Sequence, residues 1–368
     1  MHVACLPYPS PQGTQAAIAA MLDVLGEEGL DARLLCYPYG DPRLPLRHEV
    51  ARLAMPALTR SLRSGPSLAK IAFDVAMVAA IARLPRETTL VCHHVEAAWA
   101  ARLAGRDYVY VAHTSLREEL PTYLTSAGAT RASTFARVGA VIDAVAASAS
   151  RCAAVSPALA TRLGARRGRA FGVLPVPWSP IEARVDPSSA RAQLGLRGGA
   201  FVVLYTGNLD GYQSWEIALE VVSRLRDAAL DAHLLVATDS DPAALFARAK
   251  TIGLEAISIA PLLTERDREV AHAAADVAIV PRKSPGGVPI KLLDALARGV
   301  PVITTEAGAA GLALEGVVGF GETPEALALE ALEARKDRDE RARRGVEYLR
   351  AHHGKEAFLD AYARLVGR

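Results

Sequence analysis

The amino-acid sequence predicts an α/β protein made of two doubly wound, Rossmann-like domains. Apolar, strand-like runs alternate with helical patterns along most of the chain, which indicates parallel sheets joined by helical crossovers. A stretch rich in Pro, Gly and Ser interrupts this alternation near the middle of the chain. The 368 residues are 51% hydrophobic, so the chain can bury two cores of ordinary domain size.

The first half of the chain carries the first run of alternating elements. Its strands are predicted at about residues 1–6, 31–37, 88–92, 107–112, 151–155 and 171–175. Its helices are predicted at about residues 14–29, 49–63, 67–84, 95–104 and 133–148. We therefore expect a first domain over residues 1–177, followed by a linker at 178–199 with one short helix at 190–194.

The alternation restarts after the linker. Strands are predicted at about residues 201–206, 232–237, 256–259, 277–280 and 301–304. Helices are predicted at about residues 213–227, 241–252, 265–273, 289–298 and 323–335, and the charged segment 337–368 is strongly helical. We expect a second domain over residues 200–350 and a C-terminal helix, 351–368, that packs back on the first domain. Sheets of this kind bind ligands at the carboxyl ends of their strands, which favours a site in an interdomain cleft.

Composition excludes several classes of function. The net charge of +2 is too small to indicate a polyanionic partner, and 5% aromatic residues argue against a stacking surface for nucleic acid. The cysteines, Cys5, Cys36, Cys92 and Cys152, are widely spaced and favour buried free thiols in a reducing cytoplasm. We find no signal-peptide pattern, and the longest apolar stretch, residues 71–84, is too short to span a bilayer.

The most informative segment begins at Arg282, directly after a predicted strand. It continues as a Gly-rich turn at Gly286-Gly287, a helix with Pro289 in its first turn, and Gly299 at the helix C-terminus. The free N–H groups and the positive dipole end of that helix point at the Gly-rich turn. The segment therefore predicts an anion-binding site.

Three charged side chains accompany this turn. The Arg282 guanidinium offers a planar fork for phosphate oxygens, and Lys291 offers a second cation. Asp294 follows one helical turn after Lys291, where a carboxylate can accept hydrogen bonds from two ribose hydroxyls. Diphosphate and ribose together indicate a sugar nucleotide. The alternative is a generic strand–turn–helix in which Lys291 and Asp294 form a solvated pair.

This segment resembles the donor motif of the retaining glycosyltransferases of family 4, which have the GT-B fold. In that family two glutamates stand eight positions apart, before a Gly-x-Pro-Val run that matches residues 299–302 here. The second glutamate aligns with Asp294, while Gly286 stands at the first. The sequence is similar to a variant pattern, Arg…Gly-x-Pro-x-Lys-Leu-Leu-acid. The resemblance implies that Lys291 contacts phosphate and that backbone N–H groups of Gly286 and Gly287 contact the sugar.

A second motif, from Tyr205 to Gln213, follows the first strand of the second half. Members of the resembled family carry an Arg and a Lys here, and both hold the donor diphosphate. This chain has Asn208 and Gln213 at those positions, next to Gly207. Asn208 and Gln213 can donate only neutral hydrogen bonds, so the charge compensation is expected to come from Arg282 and Lys291. The alternative is an ordinary strand–helix loop with a tight turn at Gly207.

The first half carries weaker signals. Gly13 stands where the resembled family has a glycine-rich loop near the donor phosphates, although a plain turn explains it equally well. His113 follows a strand and precedes Glu-Leu-Pro-x-Tyr, as in a subgroup of the family. The resemblance implies that His113 donates a hydrogen bond to the transferred sugar. His93 and His94 are adjacent at a strand end, point to opposite faces and are poor joint metal ligands.

The stretch from residue 43 to residue 70 is basic, with Glu49 as its only acid. A solvated face is the ordinary interpretation of such a stretch, and the sharper one is docking to an anionic membrane that carries a lipid acceptor. The residues concerned are Arg43, Arg47, Arg52, Arg60, Arg63 and Lys70.

Together these patterns predict a cytoplasmic glycosyltransferase, peripheral to the inner face of a membrane in the docking interpretation. The resemblance implies transfer of a sugar from a nucleotide-diphosphate sugar to a hydroxyl of a lipid-linked, polysaccharide or small glycoside acceptor, with retention. It implies no metal and no cofactor, and we expect no nucleic-acid partner. The alternatives are a nucleotide-sugar epimerase or phosphorylase-like enzyme of the same fold, and a non-catalytic sugar-nucleotide binder or assembly partner.

Overall fold

The computed structural model describes residues 1–61, 67–121, 129–168, 170–283 and 287–367. Contacts divide the chain into two compact units. The first comprises Met1–Pro177, Gly286–Val288 and Lys355–Arg368, and the second comprises Trp178–Pro285 and Pro289–Gly354.

The first unit is built on a seven-stranded sheet in which every paired strand is parallel. The strand order is β3-β2-β1-β4-β5-β6-β7. The strands are β1 (His2–Ala4), β2 (Leu34–Cys36), β3 (Val50–Arg52), β4 (Val91–His93), β5 (Val109–Ala112), β6 (Arg151–Ala154) and β7 (Gly172–Val173). The helices are α1 (Gly13–Glu27), α2 (Leu68–Ala82), α3 (His94–Leu103), α4 (Leu116–Glu119), α5 (Ala129–Ala146) and α6 (Pro157–Arg167).

The second unit is built on a six-stranded parallel sheet of order β10-β9-β8-β11-β12-β13. Its strands are β8 (Phe201–Thr206), β9 (Ala232–Ala237), β10 (Ile257–Ala260), β11 (Val277–Val280), β12 (Val302–Thr304) and β13 (Gly319–Phe320). Its helices are α7 (Pro187–Gln193), α8 (Glu216–Asp227), α9 (Ala243–Thr251), α10 (Glu265–Ala274), α11 (Ile290–Ala297), α12 (Glu306–Ala309), α13 (Pro324–Lys336) and α14 (Arg338–His352).

The last helix, α15 (Lys355–Val366), belongs to the first unit. Its first residue, Lys355, pairs with Glu28 at 2.6 Å, just beyond the end of α1. Near its other end, the Arg151 guanidinium of β6 donates to the Leu365 carbonyl at 3.4 Å. These contacts bring Tyr362, in the middle of α15, to the sheet of the first unit.

The central strands of both sheets are buried on both faces, whereas β3, β7 and β10 are more exposed. All six residues of β8 are buried, as expected for a central parallel strand covered by helices on either side. Side chains of β8, β9 and β11 form one core with the apolar face of α8. The helix ends are set by local signals, such as the Thr264–Asp267 capping box that starts α10 and the left-handed Gly299 beyond α11.

The α/β fold class predicted from the sequence is confirmed, with two parallel-sheet, Rossmann-like halves of the GT-B type. The predicted helix at residues 49–63 is wrong. Residues 50–52 form β3, which pairs with β2, and residues 53–61 are not helical. The Leu34 N–H donates to the Glu49 carbonyl and the Leu53 N–H donates to the Cys36 carbonyl, which holds this segment at the sheet edge. Pro56 also disfavours helical geometry at Met55. The short strand β13 was not predicted, because two residues give no periodic signal.

The four cysteines are free, and Cys36, Cys92 and Cys152 are buried on strands of the first sheet. Within the described ranges, no helix combines the length and the apolar character needed to cross a bilayer. Likewise, the described His, Cys, Asp and Glu side chains include no group of three that is placed to hold a metal ion.

Candidate functional site

In the second unit, two loops that the sequence singled out meet at one edge of the sheet. Gly207 and Asn208 follow β8, and Arg282 follows β11, two residues after its end. Since β8 and β11 pair in parallel, their carboxyl ends lie side by side. This is the edge at which parallel sheets bind ligands.

Lys291 is placed at this edge by the first turn of α11. Its Nζ lies 4.4 Å from the centroid of the Tyr205 ring, at the end of β8, in a cation–π arrangement. A Cβ atom on Gly207 would lie 3.4 Å from the same Nζ, so the glycine gives the ammonium room. Gly207 also has φ of +113°, a conformation that side-chain-bearing residues rarely adopt.

The Lys291 ammonium is buried and has no hydrogen-bond partner among the residues that the structure describes. Burial, and next the charge of Arg282, hold the pKa of Lys291 well below its ordinary value. A buried cation without a partner is costly, and an anion beside it would offset that cost. The local electrostatics therefore favour binding of a negatively charged group.

Arg282 and Gln213 are brought together across this edge. The Arg282 Nε donates to the Gln213 Oε1 at 3.3 Å, and the hydroxyl of Thr305 donates to the Arg282 carbonyl. Gln213 is buried at the end of a short 3₁₀ turn, Gly211–Gln213. The glutamine thus orients the guanidinium while adding no charge of its own.

Asn208 makes its contacts locally. Its side-chain amide donates to Asp210 at 2.8 Å, and its carbonyl accepts from the Tyr205 hydroxyl at 2.6 Å. The hydrogen bond to the Asn208 carbonyl therefore fixes the Tyr205 ring, and the Lys291 ammonium lies over that ring. The sequence did not indicate this role for Tyr205, because a buried tyrosine at a strand end is ordinary core.

Asp294 lies in a separate buried cluster on the same helix. Its Oδ1 accepts from the Arg298 Nε at 3.2 Å, and its Oδ2 lies 3.8 Å from the His272 Nε2. The Nδ1 of His272 donates to the Arg268 carbonyl at 2.8 Å, and burial lowers the pKa of His272. The sequence did not predict this cluster, although the spacing of four residues between Asp294 and Arg298 was a usable signal.

The remaining residues of the predicted donor motif fall at the turn before α11. Gly287 is described, and Gly286 lies outside the described residues. Pro289 directly precedes the first residue of α11. Lys283 is exposed beside Arg282.

In the first unit, the histidines selected from the sequence lie together, with His93 and His113 buried and His94 half-buried. The His93 Nδ1 lies 2.9 Å from the His113 Nε2, and the rings of His94 and His113 are 5.0 Å apart. The His94 Nε2 lies 3.2 Å from the Thr14 hydroxyl in the first turn of α1, beside Gly13. His94 has φ of +67°, which is rare for a residue with a side chain and is often found at functional sites.

One member of this histidine group was missed. The Nδ1 of His2, on β1, lies 2.9 Å from the Nε2 of His93. Strands β1, β4 and β5 are neighbours in the sheet, which places His2, His93 and His113 in a row. His2 belongs to no sequence motif, so its contact with His93 becomes visible only from the order of the strands in the sheet.

Comparisons with known proteins agree with this architecture. Residues 200–337 match the family described as "Glycosyl transferases group 1". The match spans the elements from β8 to α13. No curated protein sequence matches the chain significantly.

Solved structures show the same fold over the whole chain. Sucrose-phosphate synthase from Thermosynechococcus elongatus has a TM-score of 0.77 at 17% identity, covering 99% of this chain and 97% of that one. HepE from Anabaena, in complex with UDP-glucose, has a TM-score of 0.74 at 16% identity, with both chains fully covered. WaaG, a glycosyltransferase involved in lipopolysaccharide biosynthesis, has a TM-score of 0.69 at 16% identity, with both chains fully covered.

Proposed function

We propose that this chain is a glycosyltransferase that moves a sugar from a nucleotide-diphosphate sugar to a hydroxyl acceptor with retention of configuration. The observation that carries the proposal is the buried Lys291 ammonium, which lies beside Arg282 at the carboxyl edge of a group 1 glycosyltransferase domain. A diphosphate supplies negative charge beside the Lys291 ammonium, which has no hydrogen-bond partner among the described residues.

In this proposal, the two cations act on the leaving group. Arg282 and Lys291 bind the diphosphate and stabilise the charge that develops on it as the bond to the sugar breaks. Asn208, Gln213 and the backbone of Gly207, Gly286 and Gly287 complete the donor pocket, with Gly13 near the phosphates, and Asp294 accepts from the ribose. His113 donates a hydrogen bond to the transferred sugar. The reaction requires no metal in this scheme.

UDP-glucose is the first donor to test, because HepE was crystallised with it. A thermal-shift screen across UDP-, GDP-, ADP- and TDP-sugars should reveal the preferred base, since a ligand that binds the folded state raises the melting temperature. Donor hydrolysis without acceptor then measures turnover, and the anomeric configuration of a glycoside product, determined by NMR, tests retention. A screen in which no sugar nucleotide shifts the melting temperature would reject the proposal.

A second candidate function is a non-catalytic sugar-nucleotide binder. It is favoured by the neutral residues at the two positions where the resembled family has cations, since the Asn208 amide is bonded to Asp210 and Gln213 adds no charge beside Arg282. Binding of a sugar nucleotide without hydrolysis or transfer, over a panel of hydroxyl acceptors, would select this candidate.

We further propose that the acceptor is presented at an anionic membrane. Helix α2 exposes Leu68, Ile71 and Val75 on one side, with Leu68 86% exposed and Val75 66% exposed. The exposed Arg47 and Arg60 belong to the basic stretch that precedes this helix. Arg43 pairs with Asp41, Arg52 donates to the Tyr37 carbonyl, and Lys70 lies on α2 itself. Arg63 lies outside the described residues.

Vesicle co-sedimentation tests this docking face. We expect the protein to bind vesicles that contain phosphatidylglycerol and to bind them more weakly in high salt. The double variant Ile71→Ser/Val75→Ser should bind these vesicles more weakly than the wild type does. Phe246→Ser, which removes an exposed apolar side chain on α9, is the matched control. Binding that is equal for neutral and anionic vesicles would contradict the docking proposal.

A further inference from the structure

A line of hydrogen bonds crosses the core of the first unit from α15 to His113. The Tyr362 hydroxyl lies 3.0 Å from the His2 Nε2. The His2 Nδ1 lies 2.9 Å from the His93 Nε2, and the His93 Nδ1 lies 2.9 Å from the His113 Nε2. Each of the two inner histidines therefore uses both ring nitrogens inside the line.

Burial favours the neutral form of all three imidazoles. His2, His93 and His113 are each at most 3% exposed. Burial lowers the pKa of His2 to about 3 and holds those of His93 and His113 well below the ordinary value. A neutral imidazole carries one N–H and one lone pair, so each ring donates at one nitrogen and accepts at the other.

This requirement leaves two arrangements of protons. At each junction a donor must meet an acceptor, so all the N–H groups point the same way along the line. In one arrangement Tyr362 donates to His2, and the last proton stands on the Nδ1 of His113. In the other, His2 donates to the Tyr362 oxygen, and the Nδ1 of His113 is a bare lone pair.

The chemistry at the Tyr362 end favours the first arrangement. A phenol hydroxyl is a stronger acid than a neutral imidazole N–H, and an imidazole nitrogen is a stronger base than a phenol oxygen. The pair is therefore more stable as O–H···N than as N–H···O. The direction of the hydrogen bond at Tyr362 fixes the direction of the bonds at His93 and His113. If one bond alone were reversed, two donors or two acceptors would face each other in the core, which is costly.

We propose that Tyr362, His2 and His93 are positioning residues that hold His113 in its Nδ1–H tautomer. The inference rests on the proposed function, in which His113 meets the transferred sugar. An N–H at Nδ1 can donate to a hydroxyl oxygen of the sugar, whereas a bare lone pair there can only accept from a hydroxyl proton. Helix α15 thus contributes to the reaction through a residue that touches no substrate.

The tautomer can be read directly in the free protein. Long-range proton–nitrogen-15 spectra of histidine-labelled protein distinguish Nδ1–H from Nε2–H imidazoles. We expect Nδ1–H at His2, His93 and His113 in the wild type. Tyr362→Phe keeps the ring against His2 but removes the hydroxyl, so the population of His113 should move toward Nε2–H. Tyr108→Phe is the matched control, because within the described part of the chain the Tyr108 hydroxyl contacts two backbone carbonyls and Ser148, away from the histidines.

Kinetics supply the second measurement. Tyr362→Phe should lower kcat about tenfold with little change in the KM for the donor, which corresponds to the loss of about one neutral hydrogen bond. In a His93→Phe background the line is already broken, so adding Tyr362→Phe should cause no further loss. A wild-type His113 in the Nε2–H form, or a Tyr362→Phe variant with unchanged tautomer and kcat, would overturn the proposal. If the tautomer shifts while no form of the protein transfers sugar, the proposed function fails and the line of hydrogen bonds stands.

Discussion

The ammonium nitrogen of Lys291 lies 4.4 Å from the centroid of the Tyr205 ring, buried at the carboxyl edge of the second sheet. The ring face partly compensates the charge, but a cation–π contact is worth less than the solvation that burial removes. Burial of the Lys291 amine therefore costs stability, either as desolvation of the ammonium or as loss of its proton.

Replacement of Lys291 should raise the free energy of unfolding and lower the turnover of the donor. Lys291→Met should raise the free energy of unfolding at pH 7 by roughly 1–3 kcal/mol, because the buried ammonium is removed. Turnover of the donor should fall at least a hundredfold, about 3 kcal/mol in the barrier. Urea unfolding and steady-state kinetics measure the two effects. Lys250→Met, on the exposed side of α9, is the control and should change neither.

The stability difference should also depend on pH. The folded-state pKa of Lys291 lies below the unfolded value, so the unfolded chain binds the extra proton in the interval between them. Wild-type stability should therefore rise with pH through that interval, and the advantage of Lys291→Met should shrink toward pH 10. A difference that is constant from pH 7 to pH 10 would show that Lys291 titrates normally.

Donor binding should be accompanied by proton uptake. A diphosphate beside Lys291 raises the pKa of that ammonium, so the protein should take up a proton when UDP binds at pH 8. Calorimetry in buffers of different ionisation enthalpy measures this uptake. It should disappear in Lys291→Met, and equal uptake in that variant would assign the proton to another group.

A charge placed at Gln213 should compete with the donor. Gln213→Glu sets a carboxylate next to the Arg282 guanidinium, which Gln213 contacts at 3.3 Å. We expect the KM for the donor to rise about tenfold or more with a smaller change in the melting temperature. Gln213→Met removes the hydrogen bond without adding charge, and a KM equal to that of Gln213→Glu would contradict the electrostatic explanation.

Two variants distinguish the two roles of Asp294, which are binding of the ribose and the ion pair with Arg298. Asp294→Asn should weaken UDP binding about tenfold if the carboxylate accepts from the ribose. It should lower stability by roughly 1–3 kcal/mol because Arg298 loses the more deeply buried of its two charged partners and keeps only Glu265. Arg298→Gln should lower stability similarly but leave UDP affinity near that of the wild type. Equal losses of UDP affinity in both variants, measured by calorimetry, would mean that Asp294 acts by ordering the helix.

The sequence by itself determined the order of the elements and the donor motif. Buried apolar runs at the spacing of strands predicted both parallel sheets, and the Gly-rich turn with Arg282 and Lys291 predicted an anion site, because these signals are local along the chain. The helix expected at residues 49–63 is wrong because Glu49 and Leu53 form backbone hydrogen bonds to the neighbouring strand β2, which is distant in sequence.

Only the tertiary structure decided which of these residues act together. It placed the Lys291 ammonium over the Tyr205 ring, joined Arg282 to Gln213, and brought Asp294 to His272. It also aligned Tyr362, His2, His93 and His113, although Tyr362 and His2 stand 360 positions apart in sequence. These contacts arise from the order of the strands and the packing of the helices. Strand order and helix packing depend on the burial of whole faces of the elements, and no short stretch of sequence predicts them.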